Sequence, residues 1–232
     1  MPNQNNLAAL QAVARALGPL RERVVFVGGT TAGLYNTVPG APESRPTEDV
    51  DCIIEVAPLS AYYEIEQELR ELQFRNDQES AVICRWRYGE LIVDIMPIEE
   101  SILGFSNLWY REGFEHAMSF TLPDGTGIRI LTAIYFLATK LAALKNRGME
   151  DLRLSQDWED IVYVLDNRPG LAREVETSTS AVKAYLQAEV AALLRHPELR
   201  EALDCALPYG SGAGRVDTLE KRLRLIADLR LG

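Results

Sequence analysis

Val24-Val25-Phe26-Val27-Gly28-Gly29-Thr30-Thr31, followed by Asp49-Val50-Asp51-Cys52-Ile53-Ile54, is the stretch on which the fold turns. A short β-branched run leads into two glycines and two threonines, and residues 32–36 then permit a helix. Strand, glycine turn and helix is the expected order. The second strand is expected over residues 49–56, with both aspartates at its start. Side chains at i and i+2 of a strand share a face, so Asp49 and Asp51 point together while Val50 turns away. Two carboxylates so placed repel unless a cation lies between them. A divalent magnesium ion prefers such hard oxygen ligands. The plainer alternative is a pair of surface acids at a strand end.

Working outward, residues 7–17 carry apolar side chains at helical spacing and stop at Gly18-Pro19. Residues 38–46 hold three prolines and a glycine, which predicts an exposed loop. Residues 60–72 read as an amphipathic helix. Apolar runs over 81–88 and 90–96, parted by Gly89 and closed by Pro97, predict a β-hairpin. A second hairpin is expected from 118–122 and 127–130 around Pro123-Asp124-Gly125. Strand signals end there. Residues 131–144, 155–166, 180–195, 197–207 and 217–229 all read as amphipathic helices, and Gly210-Ser211-Gly212-Ala213-Gly214 reads as a flexible linker.

A third acid lies in the second strand of the first hairpin. Asp94 sits in Leu91-Ile92-Val93-Asp94-Ile95-Met96, otherwise apolar on both faces. A carboxylate there must be paired, hydrogen-bonded or metal-bound. Arg85 or Arg87 across the hairpin would satisfy it. Three aspartates converging beside a glycine turn would instead form a two-metal phosphoryl-transfer site.

Composition narrows the classes. The chain has 232 residues, 24 Lys and Arg against 34 Asp and Glu, and a net charge of −10. That balance argues against a non-specific nucleic-acid coat while leaving room for a local basic cleft. Cys52, Cys84 and Cys205 are scattered, which excludes a disulfide framework and a cysteine zinc site. Only His116 and His196 are available, too few for a histidine metal centre. Both read as surface or capping residues, and Trp86 reads as a strand packing residue. No apolar run is long enough for a membrane helix and residues 1–6 are polar, so a cytoplasmic protein without membrane contact is expected.

Together, Gly28-Gly29-Thr30, Thr47-Glu48-Asp49-Val50-Asp51 and Asp94 resemble the nucleotidyltransferase superfamily typified by DNA polymerase beta. Phe136-Leu137-Ala138-Thr139-Lys140-Leu141, then Arg147, then Ser155-Gln156-Asp157-Trp158-Glu159-Asp160-Ile161, are similar to its AbiEii toxin-type branch. The resemblance covers about residues 24–167. The span from Gly29 to Asp49 is longer than usual because of the proline-rich loop.

The resemblance implies an α+β fold: a mixed sheet with flanking helices in a nucleotidyltransferase-like core over 1–130, then a helical region over 131–232 that completes the cleft. It implies a magnesium-dependent enzyme moving a nucleoside monophosphate group from a triphosphate to a hydroxyl of a small molecule, a protein or an RNA such as tRNA. An antitoxin protein is the partner such a branch implies. Gly28 and Gly29 would meet the triphosphate through their backbone, and Thr30 through its hydroxyl. Asp49, Asp51 and Asp94 would hold the metals, with Asp94 also assisting deprotonation of the acceptor. Lys140 would neutralise phosphate charge, or else snorkel to solvent. Thr47, Asp157 and Asp160 would line the cleft, although Asp157 and Asp160 also suit the first turn of a helix capped by Ser155. Two alternatives remain: a non-catalytic nucleotide- or partner-binding protein of this fold, and a NAD-dependent oxidoreductase suggested by a strand followed by glycines.

Overall fold

The computed structural model describes residues 1–56 and 59–229. It divides into two compact units, one formed by residues 2–31 and 46–132, the other by residues 1, 32–45 and 133–232.

The first unit is built on a mixed seven-stranded sheet. In chain order the strands are β1 (Val24–Val27), β2 (Asp49–Ile54), β3 (Arg75–Asn76), β4 (Arg85–Tyr88), β5 (Leu91–Pro97), β6 (Met118–Thr121) and β7 (Gly127–Ile130), arranged β3-β4-β5-β2-β1-β7-β6. β1 is buried along its whole length, as expected of an unbroken apolar run in an interior strand. It pairs antiparallel with β2 and parallel with β7, while β2 pairs parallel with β5. Helix α1 (Gln4–Ala16) begins at Asn3, whose side chain accepts from Asn5 N at 3.0 Å, and buries Leu10, Val13 and Ala14. Helix α2 (Leu59–Glu71) buries Tyr62, Ile65 and Leu69, and the Tyr62 hydroxyl donates to Ile95 O at 3.2 Å. Two short helices, α3 (Glu100–Leu103) and α4 (Tyr110–Glu115), follow β5. Neither is long enough to show a helical period in the sequence.

The second unit is helical: α5 (Ala133–Arg147), α6 (Gln156–Asn167), α7 (Leu171–Glu176), α8 (Ser180–Leu193), α9 (Leu199–Ala206) and α10 (Ala213–Ala227). α5 packs on α6 and α8, and α10 packs on α8 and α9. Trp158 is buried, and its indole N–H donates to Ala202 O at 2.9 Å, tying α6 to α9.

Several boundaries differ from the sequence reading. The segment after Gly28 is a 3-10 helix, Gly29–Tyr35, rather than the start of an α-helix. The first hairpin strand begins at Arg85, because Val82 N bonds the Ser80 hydroxyl and Arg85 N bonds Val82 O, which turns residues 80–85. Ala213 and Gly214 open α10, so the glycine-rich linker ends at Gly212.

The proline-rich loop is irregular but not simply exposed. Ala41 and Ser44 are buried. Residues 32–45 belong with the helices rather than with a contiguous 1–130 core: Thr37 N donates to Asn167 O, Arg168 donates to Tyr35 O, and the Tyr35 ring packs on Phe136 at 4.7 Å. Among the described residues, no helix is long and apolar enough to cross a membrane.

Candidate active site

The β-sheet register assembles the acidic cluster. Val27 pairs with Asp51, Asp51 with Asp94, and Asp94 with Arg85. One rung across four strands therefore brings Asp51, Asp94 and Arg85 to a single face, and Asp49, two residues before Asp51, shares that face. Ligand oxygens of Asp49, Asp51 and Asp94 lie within 4.8 Å of one another. Asp49 and Asp51 are partly exposed and Asp94 is buried.

Arg85 sits on this cluster. Its Nε donates to Asp94 Oδ1 and its Nη2 to Asp94 Oδ2, both at 2.8 Å, and Nη2 also reaches Asp49 Oδ2 at 3.2 Å. The hydrogen bond to Asp94, ahead of the opposing burial, holds the guanidinium above its ordinary pKa. The arginine partner expected for Asp94 and the three-aspartate cluster are thus features of one site. Arg87 instead pairs with Asp77 at 2.8 Å.

The glycine turn abuts the same carboxylates. Gly28 has φ +73°, and a Cβ there would lie 2.9 Å from Asp51 Cγ and closer still to Oδ2. Only glycine leaves room for this carboxylate while accepting a left-handed backbone. The Thr31 hydroxyl donates to Gly28 O at 2.8 Å, which locks the turn. Thr30 is buried, and its hydroxyl has no hydrogen-bond partner among the described residues. The Trp86 indole N–H and the Thr132 hydroxyl share that condition, so Thr30 is distinguished by its place beside the glycine turn. Thr47 is tied into the fold, its backbone N–H donating to Asn6 Oδ1 at 2.9 Å.

Gly28→Ala tests the close approach. A non-glycine residue in the left-handed region costs about 1–2 kcal/mol, and the new methyl must displace Asp51. The expected result is a lower melting temperature together with loss of transfer. Full activity in G28A would show that Asp51 can move without consequence.

In the helical unit, Lys140, Asp157 and Asp160 are buried. Lys140 Nζ lies 3.0 Å from Asp157 Oδ1 and 2.7 Å from Asp160 Oδ2. Arg147 forks onto Asp157 at 2.8 and 3.1 Å, and Arg45 forks onto Asp160 at 2.9 and 3.0 Å. Lys140 neither snorkels nor stands free. Burial works to lower its pKa, but Asp160 and Asp157 together hold it above the ordinary value. Burial likewise works to raise the Asp157 pKa, and the Arg147 hydrogen bond with the Lys140 charge brings it below the ordinary value. Ser155 does cap α6, its hydroxyl accepting from Trp158 N at 3.3 Å. Arg45 carried no sequence signal, since it lies in a proline-rich loop 115 residues from its partner.

This cluster sets a pH window. With its folded pKa lowered, Asp157 stabilises fully above its ordinary value of 3.8 and loses that contribution as pH falls through the folded value. Lys140, raised from 10.5, stabilises below that value and loses its contribution as pH rises through the folded value. Melting curves of wild type and Asp157→Asn should therefore differ most near neutrality and converge in acid. A gap that stays constant down to pH 3 would show that the Asp157 charge contributes nothing to stability.

The family assignment rests on the length of the chain that matches. A profile described as "Nucleotidyl transferase AbiEii toxin, Type IV TA system" matches residues 10–208. The chain belongs to the AbiEii family. It is a nucleotidyltransferase, and the family description places it among type IV toxin–antitoxin proteins. No curated protein matches this nucleotidyltransferase in sequence.

Among solved structures, the antigenic nucleotidyltransferase-like protein from Paracoccidioides brasiliensis shares the fold, with a TM-score of 0.52 at 17% identity over 88% of this chain and 94% of that one. The antibiotic-resistance factor ANT(2'')-Ia gives 0.47 at 16% identity, covering 81% and 94%. JHP933 from Helicobacter pylori gives 0.48 at 12% identity, covering 98% and 94%. The oxidoreductase alternative fails on topology as well. β1 and β2 of this AbiEii protein are antiparallel, whereas a dinucleotide-binding unit requires them parallel.

Proposed function

We propose that this nucleotidyltransferase transfers a nucleoside monophosphate group from a triphosphate to an acceptor hydroxyl, with magnesium held by Asp49, Asp51 and Asp94. The observation that carries this reading is the convergence of three carboxylates within 4.8 Å beside a glycine turn. The donor set suits the ion: all oxygen, two residues partly exposed for entry, and compact enough for shared coordination. Bound there, magnesium would neutralise phosphate charge.

The protein's own groups have separable tasks. Gly28 and Gly29 allow the main chain to approach the phosphates, and the Thr30 hydroxyl, without a hydrogen-bond partner among the described residues, donates to one of them. Asp49 and Asp51 fix the α-phosphate end of the site. Asp94 accepts the acceptor's proton as its oxygen bonds to the α-phosphorus, while the bond to the β-bridging oxygen breaks and pyrophosphate leaves. Lys140, Asp157 and Asp160 act in this reading through their ion-pair cluster, which fixes α5 against α6. Contact between Lys140 and phosphate would require it to leave two carboxylates. Small-molecule, protein and RNA hydroxyls satisfy the same chemistry, and an antitoxin protein is the partner this family suggests.

Incubating the protein with magnesium, each radiolabelled triphosphate and fractionated cell extract should label one fraction and release pyrophosphate. Labelling that persists in excess EDTA would remove the metal from this reading, and labelling by Asp51→Asn would remove the carboxylate cluster.

A further inference from the structure

The triad is not an open cluster of acids, because Arg85 already occupies three of its hydrogen-bonding positions. Both Asp94 oxygens and one Asp49 oxygen accept from a single guanidinium. That side chain is largely shielded, 22% exposed, and is carried by the neighbouring strand at a position fixed by register. Three carboxylates this close would repel strongly without a cation. We propose that Arg85 is a resident counter-ion: it holds the triad together in the metal-free protein and competes with the divalent cation for the oxygens of Asp94 and Asp49. This inference rests on the metal-site reading above and assigns Arg85 a positioning role, since it acts through the carboxylates.

Arginine and metal share their acceptors. A guanidinium forking onto a carboxylate uses both oxygens in a fixed planar geometry. A divalent ion binding the same oxygens must share their lone pairs with the guanidinium and accept a like charge nearby. Arg85 therefore weakens metal binding while strengthening the metal-free fold, so the site stays assembled before the ion arrives. A purely structural arginine would affect only the second of these properties.

Direct titration with Mn2+, read by electron paramagnetic resonance of the free ion, separates them. Arg85→Gln should bind Mn2+ roughly tenfold more tightly than wild type, equivalent to about 1.4 kcal/mol. Its melting temperature in EDTA should fall, and the rise on adding Mn2+ should exceed that of wild type. Unchanged or weaker Mn2+ binding by R85Q would overturn the proposal. If R85Q does not fold in EDTA, Arg85→Lys keeps the charge but loses the fork. R85K should then bind Mn2+ a few-fold (roughly two- to fivefold) more tightly than wild type, and equal affinity would overturn the proposal. Asp51→Asn is the control for the underlying reading. If wild type binds no Mn2+, or D51N binds it equally well, the metal site itself fails and this inference fails with it, an outcome distinct from wild-type binding that R85Q leaves unaltered.

Discussion

Asp51→Asn is expected to reduce nucleotidyl transfer by roughly a thousandfold, about 4 kcal/mol of transition-state stabilisation. The protein should remain folded. Asparagine has nearly the same volume and keeps one oxygen beside Gly28, so the turn need not move. What is lost is the charge that, with Asp49 and Asp94, makes the cluster a site for a divalent ion. Relief of repulsion among three neighbouring carboxylates should leave the metal-free melting temperature equal to or slightly above that of wild type. Steady-state pyrophosphate release and a thermal melt on one preparation give both numbers. Retention of more than about one-tenth of wild-type turnover, a loss under 1.4 kcal/mol, would remove Asp51 from the catalytic set.

The largest expected effect on stability lies in the helical unit. Lys140→Met removes the cation that lies between Asp157 and Asp160, both of them buried. Methionine fills similar space and suits the apolar wall of α5, so the change isolates the charge. Removing one partner of a buried ion pair typically costs about 3–5 kcal/mol, because the remaining carboxylates stay desolvated. Arg147 and Arg45 each still hold one of them, which places the expected loss nearer the lower end. Urea denaturation followed by circular dichroism measures it. A loss below about 1 kcal/mol, the scale of an exposed pair, accompanied by weaker binding of triphosphate than of monophosphate, would instead place Lys140 at the phosphates.

Much of the architecture followed from local pattern. Val24–Val27 is apolar at every position and became an interior strand buried on both faces. Asp49-Val50-Asp51 alternates, and the alternation alone put both carboxylates on one face. The hairpin around Pro123-Asp124-Gly125 formed as its turn residues require, with Gly125 at φ +84°. The long helices were legible because an apolar stripe recurring every 3.6 residues persists over several turns.

Alternation fixes a face but not a register, and register decided the site. Spacing about the Gly89 turn lets Arg85 or Arg87 meet Asp94 across the hairpin, but nothing in it brings Asp51 to the same rung; the pairing of β2 with β5 does. That pairing turned two competing explanations of Asp94, an arginine partner or a metal cluster, into a single arrangement. Ion pairs between distant segments were equally hidden. Arg45 meets Asp160 across 115 residues, and residues 32–45 join the helices through bonds to Tyr35 O and from Thr37 N that no local propensity encodes. Lys140 on an apolar helix looked the same in sequence whether it faced solvent, phosphate or carboxylates. Sequence by itself determined the strands other than the two-residue β3, the glycine turn, the shared face of Asp49 and Asp51 and the family. Tertiary structure alone decided which charges from distant segments meet, because such a side chain is restrained by partners that only the folded chain brings within hydrogen-bond reach.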